Sequence, residues 1–554
     1  PYPPYLTGRQ VSASRGWRTG GVTVTPTRGW TPGPQGGMHM KVDLSVIDFL
    51  DRAELVFPDR IAIVDEPDQP AESWGAVTAA EFARRARNQA AHLDALGIGV
   101  GERVAIISHN SARLACGFFG VSGWGRIYVP INFRLSAVEV AYIVEHCGAS
   151  VLLYDPEVAD TVAGVEVAHK VMLGAESDAE WFLTDGEPQP WQPDEDATAT
   201  INYTSGTTAR PKGVEQTHRS LWLNASTFGW HAGVNERDVY LHTLPMFHCN
   251  GWGMVYAALG MGVTQVVLRK VDGAEILRRV ESHGVTYACA APAVVSAALD
   301  ASSDFDPVPG SDATRGGGRM RVIVAGAPPP TQTIERVEAE LGWEFIQIYG
   351  LTETAPLMTM NRGRAEWDDL EPSERAARLA AAGSPTIGMR VAVDDMGEVL
   401  ARGNHVLEGY WGQPEATEAA IVDGWFHTGD GGTIENGFVT ISDRKKDVII
   451  TGGENVSSIE VEDAVFSHPD VAEVAVIGVP SEKWGEEVRA LVVLSDGSSL
   501  DEATLIAHVR GRLAGYKCPK SVEFRDELVR TATGKLQKFK LRAPYWEGRD
   551  RQVN

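Results

Sequence analysis

Apolar and polar residues follow two rhythms along this chain, and each rhythm sets what its stretch folds into. Residues 77–98, VTAAEFARRARNQAAHLDALGI, carry apolar side chains at helical spacing and run out near a glycine, which predicts an amphipathic helix. Residues 103–110, RVAIISHN, are a short aliphatic run and predict a buried strand; 111–125, SARLACGFFGVSGWG, predict the helix that follows. Residues 136–155 repeat helix then strand, and 284–292 and 320–330 predict strands ending in Gly/Pro loops. Strands alternating with helices make mostly parallel sheets with helices packed on them. Beyond about residue 442 the pattern becomes a small α+β unit, with helices over 459–469 and 501–513 and strands over 471–480 and 488–496. The expected fold is a large N-terminal α/β domain with mostly parallel sheets and helices, then a small α+β C-terminal domain.

Composition adjusts the ends of this picture more than its middle. Residues 1–37 are rich in Pro, Gly, Ser, Thr and Arg and poor in large aliphatics, so disorder is expected there, with Met38 or Met40 the truer start. The expected division is therefore 1–37 extension, 38–442 large domain and 443–554 small domain, with a polar Gly-rich surface loop at 303–320. A chain of 554 residues with 43% hydrophobic and 22% charged residues is ordinary for a multidomain globular protein. Its net charge of −24 argues against a broad nucleic-acid-binding face. No apolar run approaches the ~18 residues a membrane span needs. Five cysteines without CxxC spacing fit a reducing cytoplasm better than a disulfide or zinc framework.

Candidate chemistry concentrates in YTSGTTARPKG, residues 203–213. The preceding ATINY reads as a strand. Thr204, Ser205, Thr207 and Thr208 offer hydroxyls, Gly206 and Gly213 let backbone N–H groups approach an anion, and Lys212 adds a point charge. A polar linker and a phosphate-holding loop both fit this composition. It is not a Walker A loop, because Pro211 stands where the second glycine belongs and Gly213 where Ser or Thr belongs. Residues 250–260 fail a dinucleotide fingerprint at Tyr256, and 120–124 fail a nucleophile elbow at Trp124.

YTSGTTARPKG, YGLTE (349–353), WFHTGD (425–430), DRKKD (443–447) and TATGKLQK (531–538) occur in this order. Together they resemble the adenylate-forming superfamily, which holds acyl-CoA synthetases, peptide-synthetase adenylation domains and firefly luciferase. PMFHCNGWG (245–253), GAPPP (326–330) and GGENVSSIEVED (452–463) are most similar to the acyl-activating enzymes within it. The resemblance covers about residues 45–545. It implies a carboxylic acid, ATP and Mg²⁺ giving an acyl adenylate and pyrophosphate, with CoA then displacing AMP; the acid would be a short- or medium-chain fatty acid or an aryl acid.

By that resemblance the 204–213 loop would grip the β- and γ-phosphates. Glu353 would hold Mg²⁺, a hard cation suited to carboxylate oxygen, and Thr352 the α-phosphate. Tyr349 would stack on adenine in a slot shaped by Gly326, Ala327, Pro328, Gln347 and Gly350. Asp430, expected in a turn after Gly429, would accept the ribose hydroxyls, with Arg444 reaching the same sugar or phosphate. Lys535 would bridge the acid and the α-phosphate during adenylation. The small domain would be mobile, swinging about Lys446 between half-reactions. Gly452, Gly453 and Glu454 would line the CoA tunnel, with His248 an aromatic gate at its mouth. Trp252, Ala325 and Pro356 would line the acyl pocket; a bulky Trp252 could shorten it or stack on an aryl acid.

The sequence departs from the family pattern at Val529, at Ala209–Arg210 and at AAGSPT (381–386). An enzyme adenylating amino acids or loading a carrier protein commonly has Asp after the Phe of PMFH; His248 supplies no counter-charge for an ammonium group. A non-catalytic nucleotide-binding regulator would not need Lys535, Glu353 and Thr352 together. A homodimer is left open.

Overall fold

The structure, a computed structural model, describes residues 41–204, 211–305, 320–326, 329–444, 447–451, 454–481, 483–530 and 536–547. The expected disordered segment 1–37 and most of the 303–320 loop lie outside the described residues.

Two large sheets share one core. The first runs, in spatial order, through His169–Met172, Ala149–Tyr154, Arg103–Ile107, Ile127–Ile131, Thr198–Thr204 and Lys212–Thr217. The second runs through Ser384–Pro385, Thr359–Arg362, Glu344–Tyr349, Arg321–Val324, Tyr287–Ala290, Val239–His242, Thr264–Val267, Ile61–Val64 and Ala76–Thr78. Their central strands pair in parallel; antiparallel pairs close three of the four edges, and His169–Met172 pairs in parallel at the fourth. Central strands such as Ile127–Ile131 and Tyr287–Ala290 are buried at every position because both faces are covered. Residues alternate between two cores with period two. Val104 and Ile106 face the space between the sheets while Ala105 and Ile107 face the outer helix Ala137–Cys147. In the second sheet Ile323 faces inward, while Val322 and Val324 face the outer helices Gly273–His283 and Thr331–Glu340.

Four helices, Ala79–Ala95, Ala112–Gly120, His218–Ala232 and Met254–Gly260, fill the space between the sheets through Phe82, Phe118, Phe228 and Tyr256. Truncating such a buried aromatic costs about 3–5 kcal/mol. The outer helix Ala137–Cys147 shows how local sequence sets element ends. Ser136 and Glu139 form a reciprocal capping box at its start, and Gly148 at φ 62° ends it.

The sequence reading did not anticipate a third, antiparallel sheet. Its strands are Arg390–Val393, Glu398–Arg402, Ile421–Val422, Trp425–Glu435 and Phe438–Arg444. They are short or interrupted by Gly and Asp, which hides their alternation. The expected small α+β unit is present, with strands Ile449–Thr451, Glu454–Val456, Val471–Ser481, Gly485–Leu494 and Ser521–Phe524. Helices Ser458–Phe466 and Glu502–Arg510 cover one face of that sheet. This unit touches the large domain where Thr331 donates its N–H and hydroxyl to Asp463, at 3.0 and 3.1 Å. The Ser457 hydroxyl also donates to the Ser442 carbonyl.

Candidate active site

Thr198–Thr204 and Lys212–Thr217 form an antiparallel hairpin at a sheet edge, with Thr204 opposite Lys212. The candidate phosphate stretch is therefore a hairpin connection, unlike the strand-to-helix turn of a P-loop. Ser205, Gly206, Thr207 and Thr208 lie outside the described residues. Gly213 is required by its surroundings: a Cβ there would come within 2.8 Å of Ile201 Cγ2.

The hairpin's outer strand is flanked by residues 408–411. Trp411 N–H donates to the Gly213 carbonyl at 2.8 Å and Glu215 N–H to the Gly409 carbonyl at 2.9 Å. This sets Tyr410 between two predicted site residues. The Lys212 ammonium lies 4.5 Å from the centre of the Tyr410 ring, and the Tyr410 hydroxyl donates to Glu353 Oε1 at 2.9 Å. Burial pushes the Tyr410 hydroxyl far above the ordinary phenol range, reinforced by the Glu353 carboxylate, so it stays a donor.

Glu353 lies in a single 3-10 turn, Thr352–Thr354, at the carboxyl end of the strand Glu344–Tyr349. The turn is held by Thr354, whose hydroxyl accepts from Leu351 N–H and donates to the Pro356 carbonyl. A Cβ on Gly350 would sit 1.5 Å from that same carbonyl oxygen, so only glycine fits this place in YGLTE. Buried Thr352 presents its carbonyl to Gln216 Nε2, with the Cys249 thiol 3.9 Å away.

Asp430 is buried, and its Oδ2 accepts the Tyr349 hydroxyl at 2.8 Å. The expected turn is corrected: Asp430 lies inside the strand Trp425–Glu435, opposite Arg444 in the backbone register. Gly429 at φ 73° and a register shift after Gly431 kink that strand. Gly429 N–H is anchored on Glu398 Oε1 at 2.8 Å. Gln347 is buried one residue before Ile348, on the strand that ends at Tyr349; Gly326 is exposed just past the strand Arg321–Val324.

On the other side of Thr352 lies a turn whose shape no sequence pattern disclosed. Cys249, Asn250, Gly251, Trp252 and Gly253 are consecutive residues with φ of 46, 53, 57, 59 and 81°. A left-handed tryptophan costs on the order of 1–3 kcal/mol and persists only where neighbours hold it. Here Asn250 bonds Thr200 Oγ1 at 2.9 Å and Asn202 Nδ2 at 3.0 Å, and Asn224 Nδ2 donates to the Trp252 carbonyl at 3.2 Å. Trp252, Ala325 and Leu357, the neighbour of buried Pro356, belong to one buried cluster. His248 is half-buried immediately before the turn.

The structure thus brings together Thr204, Lys212, Tyr349, Thr352, Glu353 and Asp430 with the Trp252 turn. Ala327, Pro328, Lys446, Gly452, Gly453 and Lys535 lie outside the described residues; Glu454 is exposed on a hairpin of the small domain. Tyr410, Gln216, Asn202, Asn224 and Asn250 were missed. One signal was readable: Leu221, Asn224, Ala225 and Phe228 place an asparagine on the apolar face of a helix, where a polar group needs a specific partner. Among the described residues, the one group of three metal-capable side chains close together is Asp394, Glu398 and His427; Glu353 is not in it. No helix of the described residues is long and apolar enough to cross a membrane.

These features define a class: a two-part α/β protein whose ordered motifs converge from a hairpin, the carboxyl end of the strand Glu344–Tyr349 and an antiparallel sheet. The AMP-binding enzyme family matches residues 50–411, and the AMP-binding enzyme C-terminal domain matches residues 460–535. The chain is 36% identical over 536 residues to 4-hydroxybutyrate–CoA ligase 2 of Metallosphaera sedula, covering 90% of this chain and 94% of that protein. It is 34% identical over 549 residues to 2-methylpropanoate–CoA ligase CCL4 of Humulus lupulus, with the same two coverages. The ATP-bound structure of MatB from Rhodopseudomonas palustris superposes with a TM-score of 0.77 at 30% identity, covering 91% of this chain and 99% of that one. An anthranilate CoA ligase in complex with anthranoyl-AMP gives a TM-score of 0.81 at 26% identity, covering 91% and 98%. The chain belongs to the AMP-binding enzyme family.

Proposed function

We propose that this protein is an AMP-forming acid–CoA ligase acting on short-chain aliphatic carboxylic acids. In the first half-reaction an acid oxygen attacks the α-phosphorus of ATP and pyrophosphate leaves. In the second, the CoA sulfur attacks the acyl carbonyl, the thioester bond forms and AMP leaves.

The observation that carries this reading is the string of contacts Lys212–Tyr410–Glu353, beside Tyr349–Asp430. It joins a cation, a carboxylate and a ribose-facing acid from separated parts of the chain. Such a displacement needs positioning and charge neutralisation more than covalent help. Lys212 and the 204–208 hydroxyls take the β- and γ-phosphates, Thr352 the α-phosphate and Asp430 the ribose. Glu353 fits Mg²⁺ as one oxygen donor among phosphate oxygens, a donor set this ion favours; bound there, the ion would neutralise phosphate charge. Lys535, swung in about Lys446, neutralises the attacked phosphate; Gly452, Gly453 and His248 border the CoA path after the small domain turns.

The short aliphatic acid is favoured by the buried Trp252 and by the acids in the names of relatives: 4-hydroxybutyrate, 2-methylpropanoate, and acetate or butyrate. Five free, buried cysteines suit a reducing compartment, and we place the protein in the cytoplasm. A pyrophosphate-release screen over straight-chain, branched and aryl acids tests the reading. The expected maximum falls among the short aliphatic acids; a maximum on an aryl or long-chain acid contradicts it.

A further inference from the structure

We propose that Asn224 is a specificity-positioning residue: its amide clamps the left-handed turn that carries Trp252, and the clamped Trp252 sets how long an acid the enzyme accepts. This rests on the acid–CoA ligase reading above.

The turn sits where the acid must lie. The Cys249 thiol is 3.9 Å from the carbonyl of Thr352, the residue that faces the phosphate to be attacked, and Asn250 is tied to Asn202, two residues before Thr204. An acid reaching that phosphate passes residues 249–253. Beyond them the helix Met254–Gly260 is buried at every position, and its first side chain packs against Tyr287, whose hydroxyl is 3.6 Å from the Met254 sulfur. A longer acyl chain would therefore have to displace Trp252.

What holds Trp252 is Asn224. The Asn224 side chain is fully buried on the helix His218–Ala232. Its Nδ2 donates to the Trp252 carbonyl at 3.2 Å, and its Oδ1 accepts Leu357 N–H at 3.1 Å. The donor and acceptor partners together fix which way the amide points. Leu357 follows Pro356 and stands four residues after Glu353, so one amide ties the acid-side turn to the segment that carries the phosphate and metal ligands. The clamp is tight: a Cβ on Gly253 would lie 2.4 Å from Asn224 Nδ2. Removing the Nδ2 donor leaves a buried carbonyl unpaired on a turn whose backbone already lies in a disfavoured region. The turn then relaxes, and the position of Trp252 is no longer defined.

The test uses the full chain and acid-dependent exchange of labelled pyrophosphate into ATP, over straight-chain acids from acetate to decanoate. Wild type is compared with Asn224→Ser, Gly253→Ala and Trp252→Ala. In each variant the kcat/KM ratio of octanoate to butyrate should rise about tenfold or more, the scale of one or two misfitted methylenes, while KM for ATP stays within about twofold. Gly253→Ala strains the same contact from the other side, so it decides the matter alone if Asn224→Ser does not fold. Proportional losses on both acids, or a ratio that moves in Trp252→Ala but in neither clamp variant, overturn the role of Asn224. A wild type that prefers octanoate or decanoate to butyrate overturns the functional reading instead, which separates the two failures.

Discussion

On the proposed nucleotide side of the site, side chains from three strands, a 3-10 turn and a connecting segment reach one another without unusual backbone of their own: Lys212 to Tyr410, Tyr410 to Glu353, Tyr349 to Asp430. On the acid side the backbone itself is unusual. Five residues in a row are left-handed, and buried asparagines on neighbouring elements hold them there. Under the proposed function, the contrast follows from what each side must recognise. Phosphates and ribose offer charges and hydroxyls that a few polar groups can meet on any scaffold. A short aliphatic acid offers almost only shape beyond its carboxylate, and shape is read by a rigid wall.

The largest effect should come from Lys535, the residue proposed to neutralise the attacked phosphate. Lys535→Ala should slow adenylation by about 10²–10³-fold, while thioester formation from supplied acyl adenylate stays within severalfold. Equal losses in the two half-reactions, measured separately, would remove the assigned role. Glu353→Gln keeps the shape and deletes the charge. It should lower kcat by about 10²-fold and raise the Mg²⁺ concentration needed for half-maximal rate; an unchanged Mg²⁺ titration would move the metal elsewhere.

Tyr410→Phe sharpens the comparison at smaller scale. It removes one hydrogen bond to Glu353 and leaves the ring under Lys212, so a loss of about three- to tenfold in kcat/KM for ATP is expected. The chain-length preference for acids should not move. If it did, the two sides would not be separable.

The smallest effect is on stability. Burial holds His218, His242 and His405 near a pKa of about 4, below the ordinary histidine value, so all three are neutral in the folded protein. The unfolded chain takes up their protons first as pH falls. Their stabilisation is therefore complete above the unfolded value of about 6.5 and is lost toward pH 4, by up to about 1.4 kcal/mol per pH unit for each group. His405 bonds the Leu357 carbonyl at 2.9 Å, beside the N–H that Asn224 accepts, so acid should loosen that side. Melting temperature should fall between about pH 7 and 5, and the slope should be shallower in His405→Gln. A pH-independent melt over that range would contradict the assignment.

These two sides also differ in what the sequence disclosed. The aliphatic strands and the helix-then-strand order of 136–155 were legible because their determinants are local. That Tyr349, Glu353, Asp430 and Lys212 would come together was legible because ordered motifs surround them. Tyr410 was not: it stands 57 residues from Glu353, and nothing local marks the contact. The 249–253 turn was not legible either, because its cause lies in Asn202 and Asn224 on other elements. Asp430 was expected in a turn because Gly429 precedes it, whereas the glycine kinks a strand that continues.

The most direct measurement supplies α-labelled ATP with butyrate, and in parallel unlabelled ATP with butyrate and labelled pyrophosphate, first without and then with CoA, and follows every labelled product. Pyrophosphate should exchange into ATP only when the acid is present, and AMP should be released in quantity only after CoA is added. ADP as the product, or exchange that ignores the acid, would contradict the account.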